Sequence, residues 1–291
     1  MDGGSTDETL NVIKKYEPHL HYWESAKDKG QTDAINKGFL HCTGQIFNWL
    51  NSDDYFESGA LNKVAEAFED PSVKVVAGTE QAFEDDNPAK TIFHPGTVLK
   101  EDWYNTLRVG IYTQPCSFMR MEEAKTCFPL CTSLRYVMDR ELWWKFLMQN
   151  GQDGVKKLDS RLSHFRLHSN SKSVGEQSFF EKEYDRLKRG LFEQLEAPGF
   201  FYSPLCKESS NPGIYWPVAA SDQKGILSAF AAYYAERAYV NDQLEVTASF
   251  IGYLKKNKPG RLSASEMKMW FLSEVLPHSL VHGLKRLRNR N

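Results

Sequence analysis

No uninterrupted apolar run in this sequence approaches the ~18 residues that suggest a membrane-spanning helix, and no basic-then-apolar stretch follows Met1. A surplus of charge is missing too. Lys and Arg number 36 against 38 Asp and Glu, which leaves a net charge of −2. General nucleic-acid binders are strongly basic, so no nucleic-acid partner is expected. Cysteine is sparse and odd in number: Cys42, Cys116, Cys127, Cys131 and Cys206. That set makes a poor disulfide framework and points to a reducing, cytoplasmic setting. Cys127 and Cys131 have no second pair to complete the four ligands of a structural zinc. What remains is ordinary globular composition, 41% hydrophobic and 25% charged over 291 residues. This is enough chain for one or two domains with a substantial core.

The first half alternates short helical and strand patterns. Ser5-Thr-Asp-Glu8 has the form of a capping box ahead of Leu10, Ile13 and Tyr16. Residues 32–42 predict a helix with Ala34, Ile35, Phe39 and Cys42 on one face, closed at Gly44. Residues 45–50 read as a buried strand that runs into Asn51-Ser-Asp-Asp54. Leu61, Val64, Ala65 and Phe68 mark an amphipathic helix, and residues 73–77 a short strand. This rhythm predicts an α/β fold with a mainly parallel, Rossmann-type sheet and helices on both faces. Polar, Pro-containing text from Glu80 to Gly96 predicts loops or a hairpin. Strands are expected at residues 114–120 and 158–168. A helix is expected from Asp139 to Gly151, with Leu142, Trp143, Phe146 and Leu147 inward. Past residue 176 the pattern turns helical, at residues 179–195, 224–256 and 263–288. The expected division is an α/β unit over residues 1–176 and a helical extension over 177–291, with residues 198–217 as the main break.

Five stretches could carry chemistry. Asp2-Gly-Gly-Ser-Thr-Asp7 makes a tight turn that offers backbone N–H groups to an anion, or else simply caps a helix. Asp28, Asp33 and Lys37 surround one helix start. Lys37 could face a phosphate and the acids a ribose or base, or all three could be solvated. Asp53 and Asp54 follow a strand, where open α/β sheets bind ligands. Adjacent carboxylates are costly unless a cation neutralises them, and Mg²⁺ or Mn²⁺ on a diphosphate would do so; a capping turn is the other reading. Asp139 sits at a helix start, where the dipole would keep it ionised as a general base or use it as a cap. Alternation puts His164, Arg166 and His168 on one strand face, suited to a diphosphate or a metal, or to a row of salt bridges.

The order of these stretches is more specific than any one of them. Asp2-Gly-Gly-Ser-Thr-Asp7, Asp28-Lys-Gly-Gln-Thr-Asp-Ala-Ile-Asn-Lys-Gly38, Trp49-Leu-Asn-Ser-Asp-Asp54, Met138-Asp139 before an aromatic helix, and Phe165-Arg-Leu-His168 with Ser171-Lys-Ser173 together resemble the family 2 glycosyltransferases of GT-A fold. The resemblance covers residues 1–175. It implies Asp2 at the nucleobase and Asp28 and Asp33 near the nucleoside, to which the residue pattern adds Lys37 and Arg166 on the phosphate side. Asn51-Ser-Asp53 takes the DXD position, with Asp53 and Asp54 at the ribose and metal and His168 as a further metal-side group. Asp139 is the implied inverting base. The implied cofactor is Mg²⁺ or Mn²⁺. The implied partners are a nucleotide-sugar donor and a glycan or lipid-linked acceptor, in cell-surface polysaccharide or glycolipid synthesis.

Two departures stand out. The DXD position begins with the neutral Asn51. The family's strand–helix–strand ahead of the Asp-Gly-Gly-Ser turn, roughly 30 or more residues, has no counterpart, so a truncated start is expected. No Gln-x-x-Arg-Trp motif is present, which favours single addition over processive synthesis. Two alternatives stay open: a sugar-phosphate nucleotidyltransferase, which would usually show a Gly-rich phosphate loop, and a non-catalytic fragment kept for binding. Ser263-Ala-Ser-Glu266 opens a further helix with Met267, Trp270, Phe271 and Leu272, and Lys285, Arg286, Arg288 and Arg290 follow. Such a basic-ended helix could make peripheral contact with the inner face of a membrane, or pack on the rest of the chain.

Overall fold

The computed structural model describes residues 1–84, 87–168, 171, 175–258 and 260–275. In chain order the elements are α1 (Thr9–Tyr16), α2 (Gln31–Leu40), β1 (Ile46–Phe47), β2 (Tyr55–Phe56), α3 (Ala60–Ala67), β3 (Val75–Glu84), β4 (Asn87–His94), α4 (Trp103–Val109), β5 (Ser117–Arg120), α5 (Met121–Cys127), α6 (Met138–Asn150) and β6 (Val155–Leu167). Four helices follow: α7 (Gln177–Gln194), α8 (Gln223–Val240), α9 (Leu244–Asn257) and α10 (Ala264–Trp270), the last running into a π-helical turn, Phe271–Val275.

The sheet order is β1-β5-β3-β6-β2, with β4 as a second partner of β3. Among the described strands only β3 and β6 pair in parallel; the other pairings are antiparallel. The α/β class therefore holds, while the expected mainly parallel pairing is corrected to a mixed sheet. Strand–helix alternation fixes which elements are adjacent in sequence, but not the direction in which β5 inserts between β1 and β3. The polar stretch from Glu80 forms the β3–β4 hairpin, with Glu80 opposite His94.

Successive residues of a strand point to opposite faces. Val76 and Phe118 accordingly join a small core under α3, built with Ala60, Val64 and Leu162. Their neighbours Val75 and Met119 join the main core on the other face. That core contains α6, whose Leu142, Trp143, Trp144, Phe146 and Leu147 are all buried. A helix apolar around most of its girth must be covered on both sides. The sheet covers one side of α6, and Trp216, Tyr184 of α7 and Phe230 of α8 pack on Trp144 at the other.

The helical region is therefore not a separate body. Phe201 and Trp216 fall in the stretch expected to be a boundary, yet both are completely buried. Trp216 lies 5.3 Å from Trp144 of α6, centroid to centroid. The helix expected over residues 224–256 is broken at Asn241–Gln243, where Asp242 takes a φ of 58°. The Ser5–Glu8 capping box does not form; α1 begins at Thr9 with no side-chain cap. The Ser263–Glu266 capping box does form. Met269 of that helix is buried in the main core, and Lys255 of α9 lies over Trp270. Lys285, Arg286, Arg288 and Arg290 lie outside the described residues. No helix among the described residues is long and apolar enough to cross a membrane.

Candidate functional site

Asp2 organises the first loop. Its carboxylate accepts from Gly4 N at 3.2 Å, Ser5 N at 3.0 Å, Ser5 Oγ at 2.5 Å and Ser25 Oγ at 2.6 Å. These donors, Ser25 foremost, lower its pKa to about 2. The turn's N–H groups at Gly4 and Ser5 are thus satisfied by Asp2 itself. Backbone bonds from Asp2 N to Glu24 O and from Ala26 N to Asp2 O lay this loop along residues 24–26. Gly3 sits against Asp28, where a Cβ would come within 2.9 Å of Asp28 Oδ2. The first two motifs are therefore side by side.

Helix α2 starts at Gly30, whose φ of 117° suits glycine alone. Asp28 Oδ1 accepts from Gly30 N at 2.8 Å. Asp33 accepts from Lys29 N and pairs with Lys37 one turn on, at 3.0 Å. That bond holds the Asp33 carboxyl below its usual pKa and raises Lys37. Sequence reasoning passed over three polar residues of α2. Gln31 Nε2 donates to Asn51 Oδ1 at 2.8 Å. Thr32 Oγ1 donates to Leu134 O. Asn36 takes both backbone groups of Leu130, at 2.7 and 2.8 Å. Their common signal, readable in retrospect, is amide and hydroxyl groups on the turns of α2 that carry few apolar residues.

Beyond β1, Asn51 Nδ2 donates to Asp54 Oδ2 at 3.0 Å, and Arg166 N donates to Asp54 Oδ1 at 3.0 Å. Asp54 is buried, and that burial raises its pKa. A continuous path, Gln31–Asn51–Asp54–Arg166, thus joins α2, the strand-end turn and the end of β6. Asp53 points the other way and meets His168 Nε2 at 3.1 Å. Further along β6, His164 pairs with Glu57 at 3.1 Å and stacks on Tyr55. The His164–His168 face is therefore lined with carboxylates from the β2 side. Lys172 and Ser173 lie outside the described residues; Ser171 accepts from His168 N. Among the described residues no three His, Cys, Asp or Glu side chains converge on a metal position. Asp53 and His168 meet as a pair, as Glu57 and His164 do.

Asp139 occupies the first turn of α6, as the sequence predicts, and its Oδ1 accepts from Arg140 N at 2.7 Å. The helix start is not the only influence on its ionisation. Burial is the larger influence and raises its pKa, against the Arg140 charge and two backbone N–H groups that lower it. The loop before it, residues 130–136, is tied to α2 by Thr32 and Asn36. Hydrogen bonds thus join α2, the Asn51–Asp54 turn and the end of β6, and the loop that leads to Asp139 hangs on α2.

Similarity to a known protein family lies in the first half of the chain. A profile described as Glycosyl transferase family 2 matches residues 1–143. An uncharacterized glycosyltransferase of Mycobacterium tuberculosis is 38% identical over 69 residues, covering 24% of this chain and 26% of that protein. A PGL/p-HBAD biosynthesis glycosyltransferase of Mycobacterium bovis is 38% identical over 69 residues, 22% of this chain and 27% of its own. An uncharacterized glycosyltransferase of Nostoc is 32% identical over 82 residues, 25% and 24% of the two chains. The similarity thus spans about a quarter of these relatives. Among solved structures, residues 1–349 of S. aureus TarS in complex with UDP align over 94% of this chain and 79% of that one, at 14% identity and a TM-score of 0.47. That likeness is too slight to carry an argument. The profile lies over the first four motifs in their expected order, and residues 1–143 of this chain belong to glycosyltransferase family 2.

Proposed function

We propose that the chain is an inverting glycosyltransferase that moves a sugar from a nucleotide-sugar to a hydroxyl of a glycan or lipid-linked acceptor. The observation that carries this reading is Asp139: a half-buried carboxyl in the first turn of a helix buried along most of its length, with its pKa raised by desolvation. A base whose pKa is moved toward neutrality removes a proton more effectively than an ordinary carboxylate. The Asp139 carboxylate takes the acceptor hydroxyl proton as that oxygen bonds to the anomeric carbon. The bond from that carbon to the diphosphate breaks, and its electron pair leaves with the nucleoside diphosphate. Attack opposite the leaving group inverts the anomeric centre. Asp28, beside Gly3, and the Asp33–Lys37 pair provide polar groups for the nucleoside and phosphate side.

Mg²⁺ or Mn²⁺ fits the residues present, though not as the sequence grouped them. Asp53 and His168 offer one oxygen and one nitrogen ligand within 3.1 Å of each other, and divalent cations bound by one or two side chains complete their shell with phosphate oxygens. Asp54, whose oxygens accept from Asn51 Nδ2 and Arg166 N, ties the turn that carries Asp53 to the end of β6. When bound, the cation supplies charge stabilisation to the departing diphosphate.

A donor panel tests the reading. Nucleoside diphosphate release from a nucleotide-sugar is expected, with Asp139→Asn reducing it by about 10²–10⁴-fold while donor binding persists. Pyrophosphate release from a sugar phosphate and a nucleoside triphosphate would establish a nucleotidyltransferase in its place. A folded chain that binds no nucleotide in the presence of Mn²⁺ would overturn both.

A further inference from the structure

Helix α7 lies beyond the stretch matched to the family, yet it grips the chain on either side of Asp139. Glu183 is buried, and its carboxylate accepts three backbone bonds: two from Arg135 N at 2.9 and 3.0 Å and one from Tyr136 N at 2.8 Å. Arg186, one turn along, donates to Ser133 O at 3.0 Å and Ser133 Oγ at 2.9 Å. The Tyr136 ring stacks on Phe179 and meets Phe180 edge-on. On the other side of Asp139, the Arg140 guanidinium lies 4.3 Å over the Tyr184 ring. The Tyr184 hydroxyl is fixed in turn on Arg108 O.

From this we infer that Glu183 is a positioning residue for transfer: its carboxylate, held under the Arg135–Tyr136 backbone, fixes the loop that aims Asp139 at the acceptor. The inference rests on the reading of Asp139 as the base. The chemistry of the clasp is specific. A buried carboxylate has only acceptor sites, and the two N–H groups it faces have only donors, so the match is complete. Loop 130–136 is also held from α2 by Thr32 and Asn36 at Leu134 and Leu130, from α6 by Glu141 at Cys131 N and from α7 by Arg186 at Ser133; Glu183 holds the two backbone amides nearest to α6. Small misplacements of a reacting group cost up to ~10²-fold in rate. The helical region thereby becomes part of the catalytic apparatus rather than an appendage to it.

Glu183→Gln tests this without changing side-chain volume, since the amide keeps one acceptor but turns a donor toward backbone donors. In the full chain kcat is expected to fall about 10–100-fold while the donor KM stays within about two-fold, the pattern of a lost transition-state interaction. In an Asp139→Asn background the same change is expected to add almost nothing, because both act through one group. A merely structural role would lower both backgrounds equally and overturn the inference. Amide exchange read by mass spectrometry gives an answer independent of turnover. Exchange should accelerate in residues 131–140 of the Glu183→Gln protein and nowhere else; unchanged exchange there rejects the clasp. If Asp139→Asn itself transfers at a near-normal rate, the base reading has failed. If that variant is inactive and Glu183→Gln keeps full kcat, only the positioning inference has failed.

Discussion

Asp53 and Asp54 are neighbours with opposite surroundings, and substitution should separate them. Asp54→Ala removes the carboxylate that accepts from Arg166 N and Asn51 Nδ2, and hydrogen bonds of this kind contribute about 0.5–1.5 kcal/mol each. Lower stability in urea unfolding is the expected outcome. Asp53→Ala should leave stability near wild type and remove Mn²⁺-dependent binding of a nucleoside diphosphate, as calorimetric titration would show. Asp139 carries a different signature. Burial raises its pKa in the folded state, so the native protein binds this proton more tightly than the unfolded chain does. Its burial cost is then fully present above the folded pKa and disappears as pH falls toward the ordinary value of 3.8. Asp139→Asn removes that cost at neutral pH. Its Tm should exceed the wild-type value at pH 7, with the gap narrowing on acidification, the stability–activity exchange expected of a working base. Asp139 was legible in the sequence because a helix start before an aromatic run marks its position. Its raised pKa was not, because the burial comes from neighbours distant in sequence. Asp2 shows the reverse case. The turn was legible, but the hydroxyl that dominates its carboxylate belongs to Ser25, 23 residues away.

Among the helices and strands, α2 does more than present Asp33 and Lys37. Asn36 satisfies both backbone groups of the buried Leu130, so Asn36→Ala should destabilise the protein by about 1–3 kcal/mol in urea unfolding. The same variant should loosen the loop that Glu183 clasps from the other side. Periodicity revealed α2, whose apolar residues fall on one face, while α6 stood out as an aromatic-rich run between a helix start and Gly151. It overstated β1, which was read as six residues and pairs over Ile46–Phe47 alone. An apolar stretch such as residues 45–50 can be buried without carrying a hydrogen-bonded ladder along its whole length. It also missed the break between α8 and α9, where the apolar pattern continues across Asp242 although the backbone turns left-handed there. Strand direction was beyond its reach altogether, since alternation along a strand is the same in parallel and antiparallel pairs.

One core runs through the folded chain, from Phe47 and Met119 of the sheet through Trp144 to Trp216, Phe230 and Phe250. A change in composition near residue 198 looked like a border because Pro, Ser and Gly are turn formers. Two of the largest buried side chains, Phe201 and Trp216, lie inside that stretch. Trp216→Ala should cost about 3–5 kcal/mol even though it lies outside the family match. A chain ending at residue 176 would expose the uncovered side of α6, and no cooperative thermal transition is expected for it. A sharp transition in residues 1–176 alone would show that the helical region is dispensable for folding.

Everything proposed for the site converges on one ionisation, and the pH dependence of kcat reads it in the intact chain with a saturating nucleotide-sugar donor. The expected profile has an acid limb set by a single carboxyl whose pKa lies above 3.8, the value of an unperturbed Asp. That limb should be absent from the residual rate of Asp139→Asn. An acid limb unchanged by that substitution would contradict Asp139 as the base that takes the acceptor's proton.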